Sequence, residues 1–155
     1  MLGCGGSESS PDAVPPLPMT EALVLSGNLQ RTGGEVSASV TLIDASGHPA
    51  LATFRFWPQP SPEFWNWCVN CDAELEQTCE GGVEFTSGEI GAIRFDEAGF
   101  IVDFVQSDGS GVLSAQFDAD PWNVCLIRLD ATGAFGLGAL SRLDAATSVH
   151  VRALP

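Results

Sequence analysis

From Thr20 onward the chain reads with a period of two. Leu23, Leu25 and Leu29 alternate with more polar neighbours, and Arg31-Thr32-Gly33-Gly34 makes a turn. Val36, Ala38, Val40 and Leu42 alternate with Ser37, Ser39 and Thr41, the pattern of a half-buried strand. Ala52, Phe54 and Phe56 then point one way, and Thr53, Arg55 and Trp57 the other. Further runs predict strands at 83–86, 90–95, 100–106, 112–118, 122–129, 135–140 and 148–154.

A recurring signal separates these runs. Asp44-Ala45-Ser46-Gly47, Asp96-Glu97-Ala98-Gly99 and Asp130-Ala131-Thr132-Gly133 each follow an apolar strand end, and Asp108-Gly109-Ser110-Gly111 is a looser relative. Asp opening a type I turn and Gly in the left-handed position after it is hairpin chemistry. Strands joined in this way must run antiparallel. The expected fold is mainly β (a β-rich α+β arrangement): an antiparallel meander of about nine or ten strands. That many strands curl or split into a sandwich or a barrel.

One stretch has a different period. Ser61 is a good N-cap, Pro62 suits the first helical position, and Gly81 and Gly82 can close a helix. Wound at about 100° per residue, Phe64, Trp67, Cys68, Cys71, Leu75 and Cys79 form one apolar stripe, opposite Glu63, Asn66, Asn70, Glu74 and Gln77. This predicts an amphipathic helix over about 62–80, inserted after the third strand, with Trp65 and Val69 on its flank. The main alternative is a break near Asn70, because Asn can end a helix in the left-handed conformation and Asp72 could cap a second one.

The net charge of −14, with six arginines and no lysine, argues against nucleic acid, whose phosphates require clustered cations. It argues equally against an anionic membrane surface. There is no run of eighteen apolar residues of the kind that spans a bilayer as a helix.

The start of the chain bears on location. Leu2-Gly3-Cys4 is followed by a small, polar and then proline-rich run through Pro18. These residues resemble the lipobox of bacterial lipoproteins, in which a small residue precedes a cysteine that becomes the lipidated N-terminus. The resemblance implies lipid attachment at Cys4, with Met1 standing where a leader has been removed. It also implies a flexible tether over 1–19 and a single β-rich domain over 20–155.

With Cys4 set aside, Cys68, Cys71, Cys79 and Cys125 remain, an even number that suits two disulfides in an exported protein. Cys125 alternates in phase with Ile127 and Leu129 and so faces the core. One cysteine of the helix is expected to bond it, stapling helix to sheet. On an unbroken helix the local pair is Cys68–Cys71, and Cys79 joins Cys125. A break at Asn70 allows Cys68 or Cys71 to pair with Cys79 instead. A cytosolic protein with zinc on the four cysteines is the competing reading. It requires a broken helix, because Cys68 and Cys79 lie about 16 Å apart along a continuous one.

Catalytic signatures are sparse. His48 follows a hairpin turn and His150 alternates outward beside Arg152; neither a Gly-x-Ser-x-Gly elbow nor His-Glu-x-x-His occurs. Asp118, Asp120 and Asn123 offer hard oxygens for calcium, the cofactor candidate beside the zinc reading. Trp57 and Trp65 are the binding candidates, since aromatic faces on a β scaffold stack on sugars or anchor proteins.

The sequence thus points to a non-catalytic binding or structural module of an exported, lipid-anchored protein of the bacterial cell envelope. Its partner would be a protein or glycan, with membrane contact only through the lipid on Cys4. The alternative is a small envelope hydrolase with a carboxylate or metal-dependent site.

Overall fold

The computed structural model describes residues 18–61, 63–71 and 81–155. Eleven strands occur among them: β1 (Ala22–Asn28), β2 (Val36–Ile43), β3 (Pro49–Pro58), β4 (Phe64–Val69), β5 (Val83–Ser87), β6 (Ile90–Phe95), β7 (Ile101–Gln106), β8 (Val112–Phe117), β9 (Asp120–Asp130), β10 (Leu140–Ser141) and β11 (Ser148–Leu154). They form two sheets. The second has the order β2-β3-β4-β6-β7, antiparallel throughout. In the first, β1 pairs with β11 on one side and with β9 and β10 on the other, and β8 and β5 complete it.

The period-two alternation decides what is buried. Leu23 and Leu25 of β1, Phe54 and Phe56 of β3, and Leu113, Ala115 and Phe117 of β8 enter one continuous core shared by both sheets. β11, at the edge of the first sheet, runs beside β2, at the edge of the second.

The expected turns form by the expected chemistry. Asp44 accepts the Ser46 and His48 amides at 2.8 Å each, and Phe100 N donates to Asp96 Oδ1 at 2.9 Å. Asp130 holds the amides of Thr132, Ala134 and Phe135 at 2.9–3.2 Å, with Gly133 at φ 88° supplying the left-handed step.

Three expectations are corrected. The first is the helix: Phe64–Val69 is a strand, clasped between β3 and β6. Trp65, Trp67 and Val69 alternate into the core at 1%, 0% and 0% exposure, so a period of two organises a run that also fits a helical stripe. Aromatic and β-branched residues favour the pleated surface once two neighbouring strands supply backbone partners. The N-cap signal is a turn, in which Phe64 N donates to Ser61 O at 3.0 Å. Asn70, at φ 48°, ends the strand instead of a helix. The remainder of the expected helix, 72–80 with Leu75 and Cys79, lies outside the described residues, as do Pro62 and the tether as far as Leu17.

The second correction concerns the meander, because β1 runs parallel to both β9 and β10. Hairpin turns govern only strands adjacent in sequence, and the neighbours of β1 come from the far end of the chain. The third concerns the strand expected at 135–140: of it only Leu140 enters a strand, β10, and Ala139 makes an isolated antiparallel bridge to Thr132. The residues before it wrap around the Asp130 carboxylate.

Candidate functional site

The outer face of the second sheet gathers the groups that sequence reading associates with binding. Trp57 follows Phe56 in β3 and therefore points away from the core, half-buried. Its cross-strand partner is Asn66, which pairs in turn with Ala92, and Ala92 with Val105. In the adjacent row Phe64 lies opposite Arg94, and Arg94 opposite Asp103. Neighbouring side chains in such rows lie about 5 Å apart, so an aromatic ring, an amide and small apolar groups make one continuous platform.

Its polar groups are held in pairs. Gln59 Nε2 donates to Asn66 Oδ1 at 2.8 Å, which orients both amides. Arg94 donates through Nε and Nη2 to Asp103 Oδ2 at 3.2 and 3.0 Å. Arg55 reaches Glu35 Oε2 through Nε and Nη2 at 3.2 and 2.6 Å and donates through Nη1 to the Cys71 carbonyl at 3.0 Å. Among the described residues of this face, both arginines are matched to a carboxylate. Phe64, Ala92, Arg94, Asp103 and Val105 border a shallow depression of about 110 Å³.

The cysteines divide differently from the expectation. Cys68 and Cys71 are joined in a disulfide across a Cα separation of 6.1 Å, beside Arg55. The Cys68 and Cys71 sulfurs are bonded to each other, an arrangement different from the thiolate pair of a zinc half-site. Cys125 is a free, buried thiol whose sulfur lies 4.0 Å from Met19 Sδ. The expected staple to this strand is therefore not formed. Burial, above all, pushes its pKa up, and Asp44 and Asp120 act in the same direction. Cys79 and Cys4 lie outside the described residues.

Of the two tryptophans expected to bind, Trp57 reaches the surface, whereas Trp65 lies in the core at 1% exposure. Asp118, Asp120 and Asn123 lie together at the β8–β9 hairpin. Asp120 Oδ2 accepts from Asn123 Nδ2 at 2.8 Å and from Ser46 Oγ at 3.2 Å. Among the described residues no group of three acidic, histidine or cysteine side chains is placed to hold a metal.

The sequence reading passed over Trp122, which is 93% exposed, and the exposed Val124 and Leu126 beyond it. The signal was present: if Cys125, Ile127 and Leu129 face the core, the apolar residues in the opposite phase must face outward.

No protein-family model matches the sequence, and no curated protein matches it. Among solved structures, the chain is similar to a 32 kDa fragment of the flagellar hook protein FlgE from Caulobacter crescentus, with a TM-score of 0.54 and 14% identity. The match covers 79% of this chain and 47% of that one, so the chain spans about half the fragment's length. At that identity the likeness is one of fold.

Proposed function

We propose that this protein is a non-catalytic module acting outside the cytoplasm of a bacterium, held at the envelope by lipid on Cys4, and that it binds uncharged glycan through the outer face of its second sheet. The observation that carries the reading is Trp57 set beside the hydrogen-bonded Gln59–Asn66 amides on a face whose Arg55 and Arg94 are each paired with a carboxylate. A sugar ring presents an apolar C–H face suited to an indole, and hydroxyls suited to planar amides and carboxylates. Arginines already paired with carboxylates favour a neutral partner over a charged one.

The Cys68–Cys71 disulfide supports an oxidising compartment. The Leu2-Gly3-Cys4 motif supports the lipid anchor. The likeness in fold to a flagellar hook fragment supports the structural side of the role.

The test pairs two measurements. Mass spectrometry of the protein from its natural host should find acyl chains on Cys4. Titration of the soluble chain with neutral cell-wall oligosaccharides, followed by NMR, should shift the Trp57 indole and Asn66 amide signals. Trp57→Ala should weaken binding by about tenfold or more. Shifts absent from this face, or a Trp57→Ala protein that binds as the parent does, would remove the glycan reading.

A further inference from the structure

The outer face of the first sheet has the opposite character, and nothing in the glycan reading uses it. Val124 and Leu126 stand outward on β9 at 52% and 59% exposure. Trp122 precedes them on a knuckle where the β8–β9 register shifts, a knuckle held by Gln116 Nε2 donating to the Pro121 carbonyl at 3.3 Å. The turn that wraps around Asp130 carries Phe135, 37% exposed, on the same side, with the Arg128 guanidinium 5.4 Å from its ring centre. Large apolar side chains gathered this way on a soluble surface mark a contact site.

Charge is segregated on this face as well. The registers Ala22↔Arg128 and Val24↔Arg152 put both arginines on the outer side, and Ser26↔His150 adds a histidine. Among the described residues, the strand registers put Glu84 of β5 on the same side, with Asp130, which is 4% exposed and occupied by the turn amides; Asp118 and Asp120 sit at the hairpin end. The described strands thus set exposed apolar side chains beside two of the chain's six arginines.

We propose that this face docks on a lipid bilayer surface. Trp122 and Phe135 are side chains that settle at the headgroup boundary, Val124 and Leu126 add apolar contact, and Arg128 and Arg152 meet lipid phosphates. The net charge of −14 conceals this patch, because repulsion from anionic lipid weakens steeply beyond about 10 Å. Docking does not depend on an acyl chain at Cys4, although an anchor there would make even weak face contact effective by holding the domain close.

The experiment uses the full chain with Cys4→Ser, so that failure of the lipid-anchor reading and failure of this one remain distinct. Vesicles of phosphatidylcholine, and of phosphatidylethanolamine with phosphatidylglycerol, are floated with the protein while tryptophan emission is recorded. The chain should float with vesicles, and its emission should shift to the blue. Trp122→Ala and Leu126→Asp, both at exposed positions and checked for an unchanged circular dichroism spectrum, should abolish flotation. Trp57→Ala, on the other sheet, should not. Arg128→Gln and Arg152→Gln should each weaken binding to the phosphatidylglycerol vesicles roughly fivefold. A chain that floats with neither vesicle overturns the proposal, as does a Trp122→Ala chain that floats like its parent. Self-association detected without lipid, in a chain that ignores vesicles, would assign the face to a second copy instead.

Discussion

Asn70 and Thr53 are bonded twice. The Asn70 amide donates to the Thr53 carbonyl at 2.9 Å, and the Thr53 amide donates to Asn70 Oδ1 at 2.8 Å. Asn70 Nδ2 also reaches the Leu51 and Val83 carbonyls at 3.4 Å each, so this buried side chain links β3 to the start of β5 where β4 ends. It satisfies backbone groups that the strand ladder no longer reaches.

Asn70→Ala should therefore destabilise the fold by about 2–4 kcal/mol, from unpaired buried groups together with a left-handed residue bearing a Cβ. Asn70→Gly keeps the backbone freedom and should recover about 1 kcal/mol of that loss. Urea unfolding of the two variants separates the contributions. A cost below about 1 kcal/mol for the alanine variant would mean that the hydrogen bonds are replaced by solvent.

Gly91 lies across from Trp67, whose indole stacks on Phe104 at 4.8 Å and donates to the Val105 carbonyl at 3.2 Å. A Cβ on Gly91 would overlap both the Val105 oxygen and the indole nitrogen. Gly91→Ala should cost at least about 1–3 kcal/mol and alter the near-ultraviolet tryptophan signal. Gly34→Ala has open space around its new methyl and serves as the silent control. Equal melting temperatures for the two variants would show that β6 and β7 yield easily.

Thiol chemistry should distinguish three cysteines. Cys125 should react with a thiol reagent only on unfolding, whereas Cys68 and Cys71 should react only after reduction. Reduction should lower stability by about 2 kcal/mol on the chain-entropy account of a short loop. Because burial raises the folded-state pKa of Cys125, the unfolded chain alone loses this proton as pH rises past about 8.5. Stability should then fall with increasing pH above that point. Cys125→Ala should flatten the decline, and an unchanged slope would show that other groups set it.

Much of the fold was legible. The period-two runs identified β1, β2, β3, β6, β8 and β11, because alternation follows directly from a sheet with one buried face. The aspartate turns could be read from four residues, since their hydrogen bonds are local. β4 could not. Phe64-Trp65-Asn66-Trp67-Cys68-Val69 satisfies either period when read alone, and only the flanking strands β3 and β6 decide between them. Trp57 was legible as an outward residue by its phase, but the Gln59–Asn66 and Arg94–Asp103 pairs that surround it come from three strands and the segment after β3.

Local chemistry in the chain determined the alternating strands and the hairpin turns, because each depends on residues within a few positions of one another. Tertiary structure decided that β1 lies parallel to β9 and β10, and that Trp65 is core whereas Trp122 is solvent-facing. It also sorted the arginines, placing Arg55 and Arg94 in neutral pairs on one sheet and Arg128 and Arg152 beside apolar residues on the other. Net charge and composition sum over the whole chain, whereas a binding face depends on which distant segments the fold brings side by side.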